Sequence, residues 1–151
     1  MAIEMPADAP CAFCDYLSGR RPYTVLLTTS LSAVLVTKEQ RGKGHVLVIP
    51  IKHRPSILDV TDEEAADLAV MVKRMAKAID TAYDRPGIAV WQNNGIPAHQ
   101  SIGHVHFHVA GTVEGGGTHW GDVEELGISE TDRIGELLQC HLEENARVEK
   151  G

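Results

Sequence analysis

The segment SIGHVHFHVAGT, residues 101–112, alternates histidine with apolar side chains from His104 to Val109. In an extended strand, successive side chains face opposite sides. The pattern predicts a strand with Val105, Phe107 and Val109 against a core and His104, His106 and His108 together on the other face. A helix would scatter the same residues around its axis, so the period of two commits this part of the chain to a sheet. Core packing accounts for the apolar face. The histidine face calls for a chemical explanation.

Other runs supply partners for that strand. TVLLT (24–28) and SAVLVT (32–37) are short and β-rich and read as a hairpin. RGKGHVLVIP (41–50) is a glycine-bearing turn into a third strand, stopped by Pro50, and IAVWQN (88–93) is a fourth. NGIPAHQS (94–101) and VEGGGTHWGD (113–122) read as loops. Between the third and fourth strands, Thr61 and Glu64 form a capping-box pattern. Ala65, Leu68, Val72, Met75 and Ile79 then follow at three- and four-residue steps, the signature of one apolar helical stripe. A last helix is expected from Ser129, with Ile134, Leu137, Leu138 and Leu142 facing inward. Most strand connections are too short for parallel crossovers. The expected fold is therefore α+β: an antiparallel sheet of about five strands with one long helix and a C-terminal helix.

At 151 residues the chain suits one domain with a core of its own. A formal charge of -7 argues against a nucleic-acid or membrane binder, which carries a basic patch, though not against a small anionic ligand. No apolar run reaches the length of a membrane span, and MAIEMPADAP lacks the basic and apolar stretches of a secretory leader. The expectation is a cytoplasmic protein in which residues 1–10 form a mobile tail. Three cysteines, Cys11, Cys14 and Cys140, make a poor disulfide framework, and the close pair in CAFC reads as metal-binding or redox-active.

Two chemical readings of the histidine face compete. Neutral imidazole is a common metal ligand, so the cluster is a candidate metal site. Imidazole is also a nucleophile: with a pKa near ~6.5, much of it carries a free lone pair at neutral pH. A ring nitrogen that donates to a carbonyl leaves the other as the unprotonated attacker.

HVHFHVA resembles the signature of the histidine-triad family, His-φ-His-φ-His-φ-φ with φ apolar, at every position. GHVLVIPIKH (44–53) resembles the family's Gly-His-φ-φ-φ-φ-Pro segment, and QNNGIPAHQSIGHVHFHV its approach to the triad. CAFC is similar to the start of the zinc-bearing bacterial members. These features cover residues 11 to about 120. The resemblance implies a histidine-triad domain over 11–121, with 122–151 a C-terminal helical extension that matches nothing in the family pattern.

By this resemblance the protein is a nucleotidyl hydrolase or transferase. It would cleave the α-phosphate bond of nucleoside phosphoramidates, aminoacyl-adenylates or dinucleoside polyphosphates through a covalent nucleotidyl-histidine. His106 would be the nucleophile, with His108 and His45 completing the catalytic group. Asn93, Gln100 and Ser101 would contact the phosphate or leaving group. Phe13, Leu35 and Leu47 would line an apolar slot for the nucleoside, with Thr37 at the position that faces the ribose. Cys11, Cys14, His53 and His104 would hold a structural zinc ion, with no organic cofactor. The resemblance further implies a purine nucleotide as substrate and a homodimer, in which His119 with Trp120 is a candidate cap on the site. Two other readings stand beside it: a nucleotide-binding regulatory module with little turnover, and a mononuclear metal enzyme using all three triad histidines.

Overall fold

Short β-rich runs separated by tight turns pair with their neighbours, and the resulting strand order decides which side chains meet. In the computed structural model, which describes residues 2–150, the strands are β1 (Val25–Thr28), β2 (Ser32–Val36), β3 (Lys43–Pro50), β4 (Ile88–Trp91) and β5 (Phe107–Gly111). They form one sheet in the order β1-β2-β3-β5-β4, with every neighbouring pair antiparallel. Helices α1 (Ala12–Ser18), α2 (Asp62–Tyr83) and α3 (Ile128–Lys150) complete the α+β fold. Among the described residues no helix is long and apolar enough to cross a membrane.

Both faces of the sheet are covered, by different material. Val34 and Val36 on β2, Val46 and Val48 on β3, and Val109 on β5 pack against Leu68, Met71, Met75 and Ile79 of α2 and Leu138 and Leu142 of α3. The opposite face carries Ala33, Leu35, Leu47 and Ile49 under Phe13 of α1. This second face is also the histidine face, because Leu47 pairs with His108, and His108 with Trp91.

The long helix starts where the capping residues place it, with the Thr61 hydroxyl accepting from the Glu64 amide at 3.1 Å. Glu64 does not return the bond. Its buried carboxylate is engaged by Arg54, with Nη2 at 2.7 Å, so only half of the capping box forms. Met71 and Ala78 join the predicted stripe in the core, whereas Val72 lies at its margin.

The last helix begins at Ile128, where the Glu130 carboxylate accepts from the Gly127 amide at 3.0 Å. Leu138 and Leu142 face inward as expected. Leu137 does not, being 40% exposed.

Three local features differ from the sequence reading. Residues 12–18, unassigned from the pattern, form a helix capped by the Cys11 thiol at the Cys14 amide. The polar loop after β4 contains a short 3₁₀ turn, Ile96–Ala98. The fifth strand begins at Phe107 rather than His104. Ahead of it the Val105 amide donates to the Arg54 carbonyl at 2.7 Å, and His104 and His106 make ring-to-carbonyl bonds, so this stretch leaves the ladder. Residues 2–10, expected as a tail, run along the loop after β4. The Glu4 carbonyl accepts from the Ile96 amide at 2.7 Å, and a Cβ on Gly103 would meet the Ala7 carbonyl oxygen at 2.8 Å.

Candidate active site and metal cluster

A bulge brings the fourth histidine to the triad. The β3–β5 register shifts between Lys43 and Val46, where Gly44 adopts a left-handed φ of +64° and a Cβ would lie 2.5 Å from the Tyr83 ring. Only glycine fits there. The next residue, His45, is thereby aimed at His108, with Nε2 of one 3.0 Å from Nδ1 of the other. His45 Nδ1 lies 3.1 Å from the Arg41 amide and 3.0 Å from the Glu39 carbonyl. With the Arg41 amide donating to Nδ1, His45 Nε2–H donates to His108, and His108 keeps its proton on Nε2.

The middle histidine is oriented by its own strand. His106 Nδ1–H donates to the His104 carbonyl at 2.8 Å, which leaves Nε2 with a free lone pair. Phe13 meets the His106 ring edge-to-face at 5.1 Å between centroids, and Trp91 stacks on His108 at 4.5 Å and 3°. Burial holds His45 down to a pKa of about 4 and lowers His106. His108 is lowered by burial first and then by the charges that His106, His45 and Arg41 bring near it. All three rings are therefore neutral at pH 7, the state a nucleophile needs.

Two clefts meet at His106 and His108. One, of about 220 Å³, has Phe13, Leu47 and Ile102 as apolar lining, with Thr37 and Ser101 at its edges and Tyr16 and Tyr23 beyond. The other, of about 540 Å³, is lined by Trp91, Asn93, Gln100, Ser101, His119 and Trp120, among others. His119 and Trp120 reach this cleft from the same chain, through Arg41, which donates to the His119 and Gly121 carbonyls.

One expected residue lies outside both clefts, and another lines the wider one with its amide already bonded. Leu35 is fully buried beneath the floor and lines neither cleft. The Gln100 amide is consumed by the loop: it accepts from the Gly95 amide and donates to the Pro55 and Ile102 carbonyls, each at 2.8 Å. Sequence reasoning missed Arg41, Trp91, Tyr16 and Tyr23. For Trp91 a signal existed, since it lies two residues before Asn93 on the same face of an expected strand.

The first triad histidine belongs to a different group. Ligand atoms of Cys11, Cys14, His53 and His104 all lie within 4.8 Å of one another. The sulfur-to-nitrogen distances are 3.3 Å for Cys11–His104, 3.5 Å for Cys14–His53 and 3.7 Å for Cys14–His104. A tetrahedron with metal–sulfur bonds of ~2.3 Å and metal–nitrogen bonds of ~2.0 Å has such edges at about 3.5 Å. The far nitrogens are anchored as metal-bound imidazoles require, His104 Nε2 on the Pro50 carbonyl at 2.9 Å and His53 Nε2 on Asp8. These residues fit a zinc ion. The same geometry removes the reading in which three triad histidines share one metal: His104 turns its ligating nitrogen to the cysteines, and His106 commits Nδ1 to a carbonyl.

The HIT-domain family model matches residues 18–115. The chain belongs to the histidine-triad (HIT) family. The adenosine 5′-monophosphoramidase of Schizosaccharomyces pombe is 39% identical to it over 99 residues, 66% of this chain and 71% of the relative. The bis(5′-adenosyl)-triphosphatase of Dictyostelium discoideum is 34% identical over 89 residues, 59% of this chain and 60% of the relative. A Zn-bound histidine triad family protein from Mycobacterium smegmatis superposes with a TM-score of 0.79 over 94% of this chain and 99% of its own, at 24% identity, a likeness of fold. The matched stretch of the HIT chain includes the triad, His45 and the bulge; α1 lies at its border and the whole of α3 lies outside it.

Proposed function

We propose that this HIT protein is a nucleotidyl hydrolase that cleaves the α-phosphate bond of purine nucleoside phosphoramidates and related adenylates through a nucleotidyl-histidine at His106. The observation that carries the reading is the His106 ring: buried, neutral, fixed by its Nδ1–H bond to the His104 carbonyl, with Nε2 free where two clefts meet. The relatives named adenosine 5′-monophosphoramidase and bis(5′-adenosyl)-triphosphatase support the bond type.

In this mechanism the nucleoside lies in the narrower cleft and the leaving group in the wider one. His106 Nε2 attacks the α-phosphorus, the P–N bond to the ring forms, and the bond to the leaving group breaks with its electron pair, the departing amine taking up a proton from solvent through the wider cleft. The His104 carbonyl stabilises the imidazolium that results. The His108 Nε2–H donates to a phosphoryl oxygen as charge develops. Water then displaces the ring, a good leaving group once cationic; the attacking water gives up its proton to solvent, the P–O bond forms as the P–N bond to the ring breaks, and Nε2 recovers its lone pair. A binding module would not need an oriented nucleophile of this kind.

Cys11, Cys14, His53 and His104 would hold zinc, which when bound supplies a structural cross-link between the N-terminal helix and the triad segment. Thiolate ligation suits a reducing compartment, consistent with a cytoplasmic protein whose cysteines are unpaired. The reading includes a homodimer, supported by the open edge of β4 and by half-exposed Val90 on that strand.

Hydrolysis of adenosine 5′-phosphoramidate tests the function. Wild type should release AMP, and His106→Ala should lose at least about 10³-fold in kcat while still binding AMP. Equal rates in the two proteins would overturn it.

A further inference from the structure

The narrower cleft has a wall that the family match does not reach. The match ends at residue 115, yet Glu125 lines this cleft. Its backbone is pinned there by an isolated bridge to Glu39 and by the Leu126 amide, which donates to the Lys38 carbonyl at 3.0 Å. The segment that leads into α3 is thus bonded at Glu125 and Leu126 to the residues that follow β2.

Two carboxylates line the cleft, and they are not equivalent. Glu39 is held by Arg41, whose Nη2 donates to its Oε2 at 3.0 Å. Glu125 has no ion pair and no side-chain hydrogen bond among the described residues, so both of its oxygens are free to accept. Thr37 offers only one hydroxyl and is 8% exposed. The cations at the rim are turned to aromatic faces, Arg21 over Tyr16 and Lys38 over Tyr23, with the two tyrosine rings stacked at 3.9 Å. Their charge offsets the repulsion between a carboxylate and a nucleotide phosphate without occupying the carboxylate.

The substrate's layout limits what can face Glu125. Phosphorus must reach His106 at one end, and the base belongs on the apolar floor of Phe13, Leu47 and Ile102. The sugar lies between them, at the polar rim. A ribose presents two vicinal hydroxyls, both donors, and an ionised carboxylate is an acceptor-only group with two oxygens, matched to that pair.

Resting on the nucleotidyl-hydrolase reading, we propose that Glu125 is a specificity-determining residue that accepts from the ribose hydroxyls, so that the segment after the matched domain selects ribonucleotides over 2′-deoxyribonucleotides. Glu125 touches the sugar and not the reacting atoms, so its effect falls on binding.

The test measures binding of AMP and 2′-deoxy-AMP to wild type, Glu125→Gln and Glu124→Gln by calorimetry. Wild type and Glu124→Gln should favour AMP by about tenfold, the worth of one charge-assisted bond. In Glu125→Gln the preference should collapse to about twofold, through loss of AMP affinity with 2′-deoxy-AMP little changed. A preference equal in wild type and Glu125→Gln, or absent from wild type, overturns the role of Glu125. Neither outcome requires turnover, so a protein that binds AMP with this selectivity and releases no AMP from the phosphoramidate would refute the hydrolase reading alone. Binding of neither nucleotide by wild type overturns both.

Discussion

His106 owes its reactivity to one backbone atom. The His104 carbonyl fixes the ring's tautomer, and the same His104 directs its own ring away into the cysteine cluster. Two adjacent histidines in the alternation therefore serve different chemistries through one short stretch of chain. His108 depends on its neighbours in another way: Trp91 lies flat against it, and His45 supplies its hydrogen bond. Trp91→Ala should lower kcat/KM by about fivefold through loss of that packing, read from steady-state hydrolysis of the phosphoramidate. An unchanged rate would mean that the stack is not what holds His108.

The same burial makes stability depend on pH. His45 is held at about 4 in the fold, against ~6.5 in an unfolded chain. Above pH 6.5 both states leave it neutral and it contributes nothing. As pH falls from about 6.5 to about 4, the unfolded chain takes up a proton that the folded state refuses, so stability declines by on the order of 3 kcal/mol and then levels off. Urea midpoints across that range should fall more steeply for wild type than for His45→Gln; parallel curves would contradict the assignment.

At the scale of elements, the alternation from His104 to Val109 revealed the sheet, the two faces and the identity of the central histidines. It overstated the length of the strand, because the His104 ring and the Val105 amide bond the Pro50 and Arg54 carbonyls and hold this stretch out of the ladder. Such bonds join distant segments and leave no local trace. Gln100 shows the same limit: its neighbours in sequence mark it as a site residue, while its amide is spent on Gly95, Pro55 and Ile102. Arg41 was silent because it bonds the His119 and Gly121 carbonyls of a loop far along the chain, and the signal for Trp91 lay only in its sharing a strand face with Asn93. The cysteine helix α1 was hidden by its brevity. The C-terminal helix was legible from its apolar spacing, though not how deeply it is built in. Leu138 is fully buried in the main core with α2 and β2. Leu138→Ala should cost about 2–5 kcal/mol in urea unfolding, whereas a helix merely appended to the domain would lose almost nothing.

For the whole molecule, the sheet works as a partition. One face is given to α2 and α3 and supplies stability; the other carries the histidines, the clefts and the cysteine cluster. If zinc closes that cluster, Cys14→Ser should release it, seen as loss of about one zinc per chain by elemental analysis, with a lower melting temperature than wild type. Equal metal content in the two proteins would place the ion elsewhere.

The central claim is that His106 becomes covalently bonded to the nucleotide, and rapid quenching tests it most directly. Protein mixed with adenosine 5′-phosphoramidate should show, by intact mass within the first turnovers, an added adenylyl group on wild type and none on His106→Ala. An adduct that persists in His106→Ala would put the nucleophile on another residue. AMP release from wild type with no adduct at any quench time would point to direct attack by water and contradict the two-step account.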